Sequence, residues 1–143
     1  MKFSLMKYRF VDHTADVAFE VFGSSLEELI VNATQAFYEA FVYVEKLDEN
    51  RKLEIDVEAD SADYLLYNWL NELLFAFDTQ FFGGKFVESV EVKEKGGLIA
   101  KGVVVGGTLK PEIVKVEPKA ITLHDFVVEK KNGMLYAYVV VDI

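Results

Sequence analysis

Leu65, Leu66, Trp69, Leu70, Leu73, Leu74 and Phe77 recur at the spacing of one face of an α-helix, and a stripe that wide has to be buried against something equally apolar. It begins after Asp60 or Ser61, either of which can cap a first turn, and stops before Gly83-Gly84, which reads as a turn. A second stripe precedes it. Leu26, Leu29, Ile30, Ala33, Phe37, Ala40 and Phe41 fall on one side of a helix from about Ser25 to Val42, with Glu27, Glu28, Asn32, Gln35 and Glu39 largely on the other. Ser24 and Glu27, following Gly23, have the spacing of a capping box.

The surfaces those helices need come from segments of period two. Tyr8 to Val11 and Val17 to Phe22 read as strands, and Leu53, Ile55 and Val57 alternate with Glu54, Asp56 and Glu58 in a third. Val87 to Lys93, a Lys95-Gly96-Gly97 turn, Leu98 to Val105 and a Gly106-Gly107 break follow, then a less regular stretch from Leu109 to Asp125. "FVVEKKNGMLYAYVVVDI" places Asn132-Gly133 between β-rich runs, a strong short-range hairpin signal. This order of elements predicts an α+β fold, a two-layer sandwich in which a mixed or antiparallel sheet carries both helices on one face. No repeat, low-complexity tract or linker interrupts the sequence, so residues 1–143 are expected to form a single domain.

Composition removes several kinds of function. With a formal net charge of -9 and no basic stripe, stable direct binding of nucleic acid is not expected. The same charge suits a protein that binds cations or docks on a basic partner. The absence of cysteine excludes disulfides, thiolate metal sites and cysteine nucleophiles, and fits a reducing compartment. The apolar run between Lys2 and Lys7 is too short for a signal-peptide core, and no segment reaches the ~18 apolar residues of a membrane span. The chain is expected to be cytoplasmic and to have no membrane partner. No Gly-rich phosphate loop, H-E-x-x-H pair, EF-hand loop or G-x-S-x-G elbow occurs, which argues against an ordinary nucleotide hydrolase or serine esterase.

Oxygen ligands remain. Asp12, Thr14 and Asp16 lie with His13 between the first two strands, and Asp142 and Ile143 end the last one. If the second and last strands are antiparallel neighbours, Asp16 and Asp142 project from the same sheet edge, and a divalent cation is the simplest agent that would hold two such carboxylates together. The same residue types also build side-chain-to-backbone turns, a terminal Asp can be merely solvated, and His13, His124 and Lys119 each have an ordinary local role open to them. A stand-alone metal-dependent hydrolase using Asp16, His13 and His124 is a third reading, although neither histidine has a recognised ligand spacing.

"YRFVDHTADVAFEVFGSSLEELIVNATQAFYEAFV", "YLLYNWLNELLFAFD", "KAITLHDFVVE" and the terminal "VVVDI" resemble the archease family, in that order and over essentially the whole length. The resemblance implies a non-catalytic accessory protein of the RtcB-type tRNA-splicing ligase, promoting guanylylation of the ligase's active-site histidine and its multiple turnover. It implies a divalent-cation site at Asp16 and Asp142, with Ile143 contributing through its carboxylate or carbonyl. Ca²⁺ is the ion expected in a crystal, and Mg²⁺ or Mn²⁺ are alternatives in function. Lys119, the lysine of K-A-I-T, is expected to contact a nucleotide phosphate or a ligase carboxylate, and Asp12 and His13 to support the turn that orients Asp16. The stretch "LKPEIVKVEPK" from Leu109 to Lys119 departs from the family's pattern. The competing function is a general protein chaperone or protein-interaction module, which an acidic surface would equally permit.

Overall fold

Strands β1 (Tyr8–Val11) and β2 (Asp16–Gly23) lead into helix α1 (Leu26–Phe41), and β3 (Arg51–Ala59) leads into helix α2 (Ala62–Gln80). Strands β4 (Phe82–Glu94), β5 (Leu98–Thr108), β6 (Ala120–Ile121), β7 (Val127–Lys131) and β8 (Met134–Asp142) follow in the computed structural model, which describes residues 6–12 and 16–143. The strands form two sheets, one ordered β1-β2-β8-β6 with β7 also on β8, the other ordered β3-β5-β4, and every pairing between them is antiparallel. The α+β class and the antiparallel pairing are as the sequence predicts. The division into two sheets is not visible in the order of elements. Each helix touches both sheets, α1 packing on β2 and β4, and α2 on β3 and β5 as well as β6 and β7.

That placement explains the burial of α1. Asn32, assigned by periodicity to the polar side, is buried, and its amide donates to the Phe22 carbonyl at 2.7 Å. A helix pressed between two sheets has little free polar face, so its polar residues must find internal partners. Thr34 does the same. Its hydroxyl donates to the Ile30 carbonyl at 2.8 Å and accepts from Trp69 Nε1 at 2.9 Å, joining the two helices inside the core. Around that contact Phe37, Phe41, Leu65, Leu66, Leu70 and Leu73 are fully buried, each contributing on the order of 2 kcal/mol by leaving water.

The caps lie close to where the sequence puts them. α1 is capped by Ser25, whose hydroxyl accepts from the Glu28 N–H at 3.1 Å while the Glu28 carboxylate accepts from the Ser24 N–H at 2.6 Å. The expected Ser24/Glu27 box is thus displaced by one residue, because burial of Leu29, Ile30 and Ala33 sets the rotation of the helix and leaves Ser25 at its mouth. α2 is capped by Ser61, with the Tyr64 N–H 3.4 Å from its hydroxyl. Asn132 and Gly133 both have positive φ, 55° and 79°, the two-residue hairpin turn that joins β7 to β8.

Two glycine pairs have a role other than the one expected. Gly83-Gly84 and Gly106-Gly107 do not break the chain; they lie inside β4 and β5 and face one another, Gly83 opposite Gly107 and Gly84 opposite Gly106. The reason is close approach. A Cβ on Gly106 would stand 1.9 Å from the Gly83 carbonyl oxygen, and one on Gly84 would stand 2.4 Å from the Tyr38 ring. Glycine here lets two strands and α1 come into contact. Gly106→Ala should therefore lower stability by ~2 kcal/mol or more in urea unfolding, whereas an unchanged midpoint would mean that the strands separate without loss.

Candidate functional site

Register decides what stands at one end of the first sheet. Val17, Phe19 and Val21 turn one face of β2 into the core opposite Val141, Val139 and Ala137 of β8. Because strand side chains alternate, Asp16 and Asp142 then share the opposite face. They are direct cross-strand partners. Strand β6 adds a third member to the row: Ala120 pairs with Asp142, and the Lys119 N–H donates to the Asp142 carbonyl at 2.7 Å.

Two acids placed opposite each other on neighbouring strands repel. The Asp142 carboxyl is held above its ordinary range by a side-chain hydrogen bond with Asp16, by some loss of hydration and by the Asp16 charge; the Lys119 ammonium pulls the other way without cancelling them. Glu20, on the same face of β2, shows what compensation looks like. Burial alone would raise its carboxyl, but hydrogen bonds from Tyr136 at 2.6 Å and from Arg9, with the positive charges of Arg9 and Lys131, bring it below the usual value. Glu20 has internal partners of the right charge. Asp142 faces an acid.

Beside Asp16 opens a cleft of about 490 Å³ whose apolar side includes Phe10, Val17 and Ala40 and whose polar side includes Asp12, Glu39 and Lys115. Neither Glu39 nor Lys115 stands out in the sequence, since they are brought together across the fold: Lys115 Nζ donates to the Glu39 carbonyl at 2.9 Å and lies 5.1 Å above the Tyr43 ring. Asp12 is exposed at the end of β1 and Ile143 is exposed beside Asp142. His13 and Thr14 lie outside the described residues. His124 is in an exposed turn with its Nε2 3.2 Å from Asp125, and is not among the residues lining the cleft.

As a donor set for a cation, the described residues at this end of the sheet offer hard oxygens: the two opposed carboxylates and the main-chain oxygens of Ile143. That chemistry fits Ca²⁺, Mg²⁺ or Mn²⁺ rather than a thiophilic metal. Among the described residues no group of three or more His, Cys, Asp or Glu side chains is gathered for a metal, so a cation held by Asp16 and Asp142 would keep positions for water or for another molecule's oxygens. No helix among the described residues is long and apolar enough to cross a membrane.

A model of the archease protein family matches residues 8–143. The chain is 55% identical over 138 residues to protein archease of Archaeoglobus fulgidus, covering 96% of this chain and 100% of that one, and 35% identical over 143 residues to protein archease of Pyrococcus abyssi, covering 97% and 100%. The solution structure of protein 1598 of Methanobacterium thermoautotrophicum superposes with a TM-score of 0.83 at 32% identity, over 95% of this chain and 98% of that one. A Thermotoga maritima protein described as an archease and possible chaperone shares the fold, with a TM-score of 0.61 at 22% identity over 93% and 94%.

The acid pair has a consequence for stability. Asp142 keeps its proton to higher pH in the folded chain than in the unfolded one, so ionising it disfavours folding; the penalty is absent below the unfolded value and complete above the raised one. In EDTA at neutral pH, Asp142→Asn should melt at a higher temperature than wild type, with the gap closing as the pH falls through the carboxyl range. A lower Tm for the variant at neutral pH would show that the pair is not repulsive.

Proposed function

The chain belongs to the archease family, and on that premise we propose that it is a non-catalytic activator of an RtcB-type tRNA-splicing RNA ligase, promoting the ligase's guanylylation and multiple turnover through a divalent-cation site. The observation that carries this reading is the pairing of Asp16 with Asp142, two acids set directly opposite one another on neighbouring strands, with the Asp142 carboxyl held above its ordinary range by Asp16 despite the nearby Lys119 ammonium. A bound cation supplies positive charge that offsets both acids and can polarise a phosphate oxygen.

The chain's own residues do the positioning. Asp16 and Asp142 hold the cation with Ile143 main-chain oxygens, while Asp12 and His13 support the approach of the chain to Asp16. Lys119, tied to β8 by its own N–H, offers its ammonium as a point charge to a nucleotide phosphate or a ligase carboxylate beside the acid pair. The cleft lined by Glu39 and Lys115 leaves Asp16 approachable from the side away from β8.

A chaperone or general interaction module is the alternative. It matches the description of the Thermotoga maritima protein, and exposed Phe75 and Phe81 would serve it. The two readings part on the acid pair, because a surface that captures unfolded clients has no need of Asp16.

In single-turnover guanylylation of the cognate ligase, wild type should accelerate nucleotidyl transfer, and Asp16→Ala and Asp142→Ala, both folded, should lose at least ~10-fold of that acceleration, or about 1.4 kcal/mol of barrier. Full activation by both variants would contradict the cation site, and no acceleration by wild type would contradict the activator role. In the same preparations, millimolar Ca²⁺ or Mn²⁺ should raise the Tm of wild type and leave that of Asp16→Ala unchanged, since a ligand stabilises only the fold that binds it.

A further inference from the structure

Helix α1 takes Asn32, Thr34 and Tyr38 into the core. Asn32 and Thr34 have the internal partners described above. Tyr38 has none: its hydroxyl is shut off from water and makes no hydrogen bond. The ring itself is explained by packing. Its edge lies against Gly84, where a Cβ would stand 2.4 Å from Cε2, and it meets Phe37 edge to face at 5.2 Å. Phenylalanine would make the same contacts, so packing does not account for the oxygen, and a buried hydroxyl without a partner is a cost to the fold. Burial pushes the phenol well above its ordinary range, so it stays protonated and can both donate and accept.

Tyr38 belongs to the wall of a cavity of about 300 Å³ on the flank of α1, between the start of β1 in one sheet and β4 in the other. The wall is aromatic, with Tyr8 and Phe86 adding their rings to that of Tyr38. It is also balanced in charge. Lys85 is engaged by the Leu47 carbonyl at 3.0 Å and the Glu49 carboxylate at 3.5 Å, which leaves one further cation, Lys7, and one anion, Glu39. The Glu39 charge reaches the Tyr8 phenol, which is raised first by partial burial and then by that carboxylate. Gln35 adds a neutral amide that can donate and accept.

We propose that this cavity binds a small uncharged aromatic molecule, its ring lying among Tyr8, Tyr38 and Phe86 and its carbonyl or ring nitrogen accepting a hydrogen bond from the Tyr38 hydroxyl. Size sets one limit, since a volume of about 300 Å³ is at the small end of ligand pockets and admits a single ring system. Charge sets the other. With one cation and one anion in the wall, a charged guest would be set against its like as well as its opposite, whereas a neutral one leaves the balance as it is. Because the Tyr38 hydroxyl is shut off from water, binding moves the side chains that cover it, and bulk water cannot stand in for the guest. Asp16, Asp142 and Lys119 are not among the lining residues, so the proposal does not rest on the activator reading.

Benzamide, an uncharged ring with one strong acceptor, is the probe. Titrated into the isotope-labelled chain and followed by NMR, it should give saturable shifts of the main-chain amide signals of Gln35, Tyr38, Lys85 and Phe86, with a millimolar Kd. Benzoate, of the same shape but charged, should bind at least ~10-fold more weakly. Tyr38→Phe should weaken benzamide by roughly 10-fold and, without the probe, melt no lower than wild type, because it removes a hydroxyl that has no partner. Shifts that fail to saturate, or that fall on other residues, would overturn the site. Equal affinity of wild type and Tyr38→Phe for benzamide, or benzoate binding as tightly as benzamide, would overturn the proposal as well. A Tm for Tyr38→Phe well below that of wild type would show that the hydroxyl has a partner inside the fold, with the same consequence. None of these measurements involves the ligase, so their failure and the failure of the activator role are told apart.

Discussion

The alignment of β2 with β8 is the constraint from which the functional end of this protein follows. Eight residue pairs run from Asp16↔Asp142 to Gly23↔Leu135, and the inward members are fully buried apolar side chains at Phe19, Val21, Ala137, Val139 and Val141. A slip of one residue would send that whole set to the other face and bring the acids inward, which the core cannot tolerate. The hydrophobic effect thus forces Asp16 and Asp142 together, although their mutual electrostatics oppose it. Local repulsion of this kind survives only where the surrounding packing overrides it.

The same sheet face contains the control for that interpretation. Glu20 and Asp16 are on one strand and one face, yet Glu20 is surrounded by Arg9, Lys131 and the Tyr136 hydroxyl, whereas Asp142 meets Asp16 with Lys119 as a partial offset. Where the fold needs a carboxylate for structure it supplies a partner from within. Asp142, set against another acid, keeps its proton to higher pH instead. Lys115, on the wall of the cleft beside Asp16, is held by the Glu39 carbonyl and lies over the Tyr43 ring.

How much of this is legible in the sequence depends on distance along the chain. α1, α2, the capping serine at Ser61 and the Asn132-Gly133 hairpin are encoded locally, and periodicity with turn chemistry finds them. The cap at Ser25 is displaced by one residue because tertiary packing, not the local motif, sets helix rotation. The glycine pairs mislead for a related reason: a local rule assigns Gly83-Gly84 and Gly106-Gly107 to turns, while their lack of side chains serves contacts between β4, β5 and Tyr38. Asn32 is buried because α1 lies against two sheets, which no single-helix pattern reports. At the site, Asp16 and Asp142 could be singled out as residue types, and the family resemblance points to them; their juxtaposition depends on a pairing of strands more than a hundred residues apart. Glu39 and Lys115 carry no local signal at all, since each gains its place beside Asp16 from a neighbour elsewhere in the chain.

Anomalous scattering from crystals of the protein grown or soaked with Mn²⁺ addresses the acid pair without reference to any partner. The register of β2 and β8 predicts a single strong anomalous peak between the Asp16 and Asp142 carboxylates, within about 2.2 Å of an oxygen from each. Mn²⁺ bound elsewhere, with the two carboxylates still hydrogen-bonded to one another, would contradict it and return the pair to the status of a strained sheet edge.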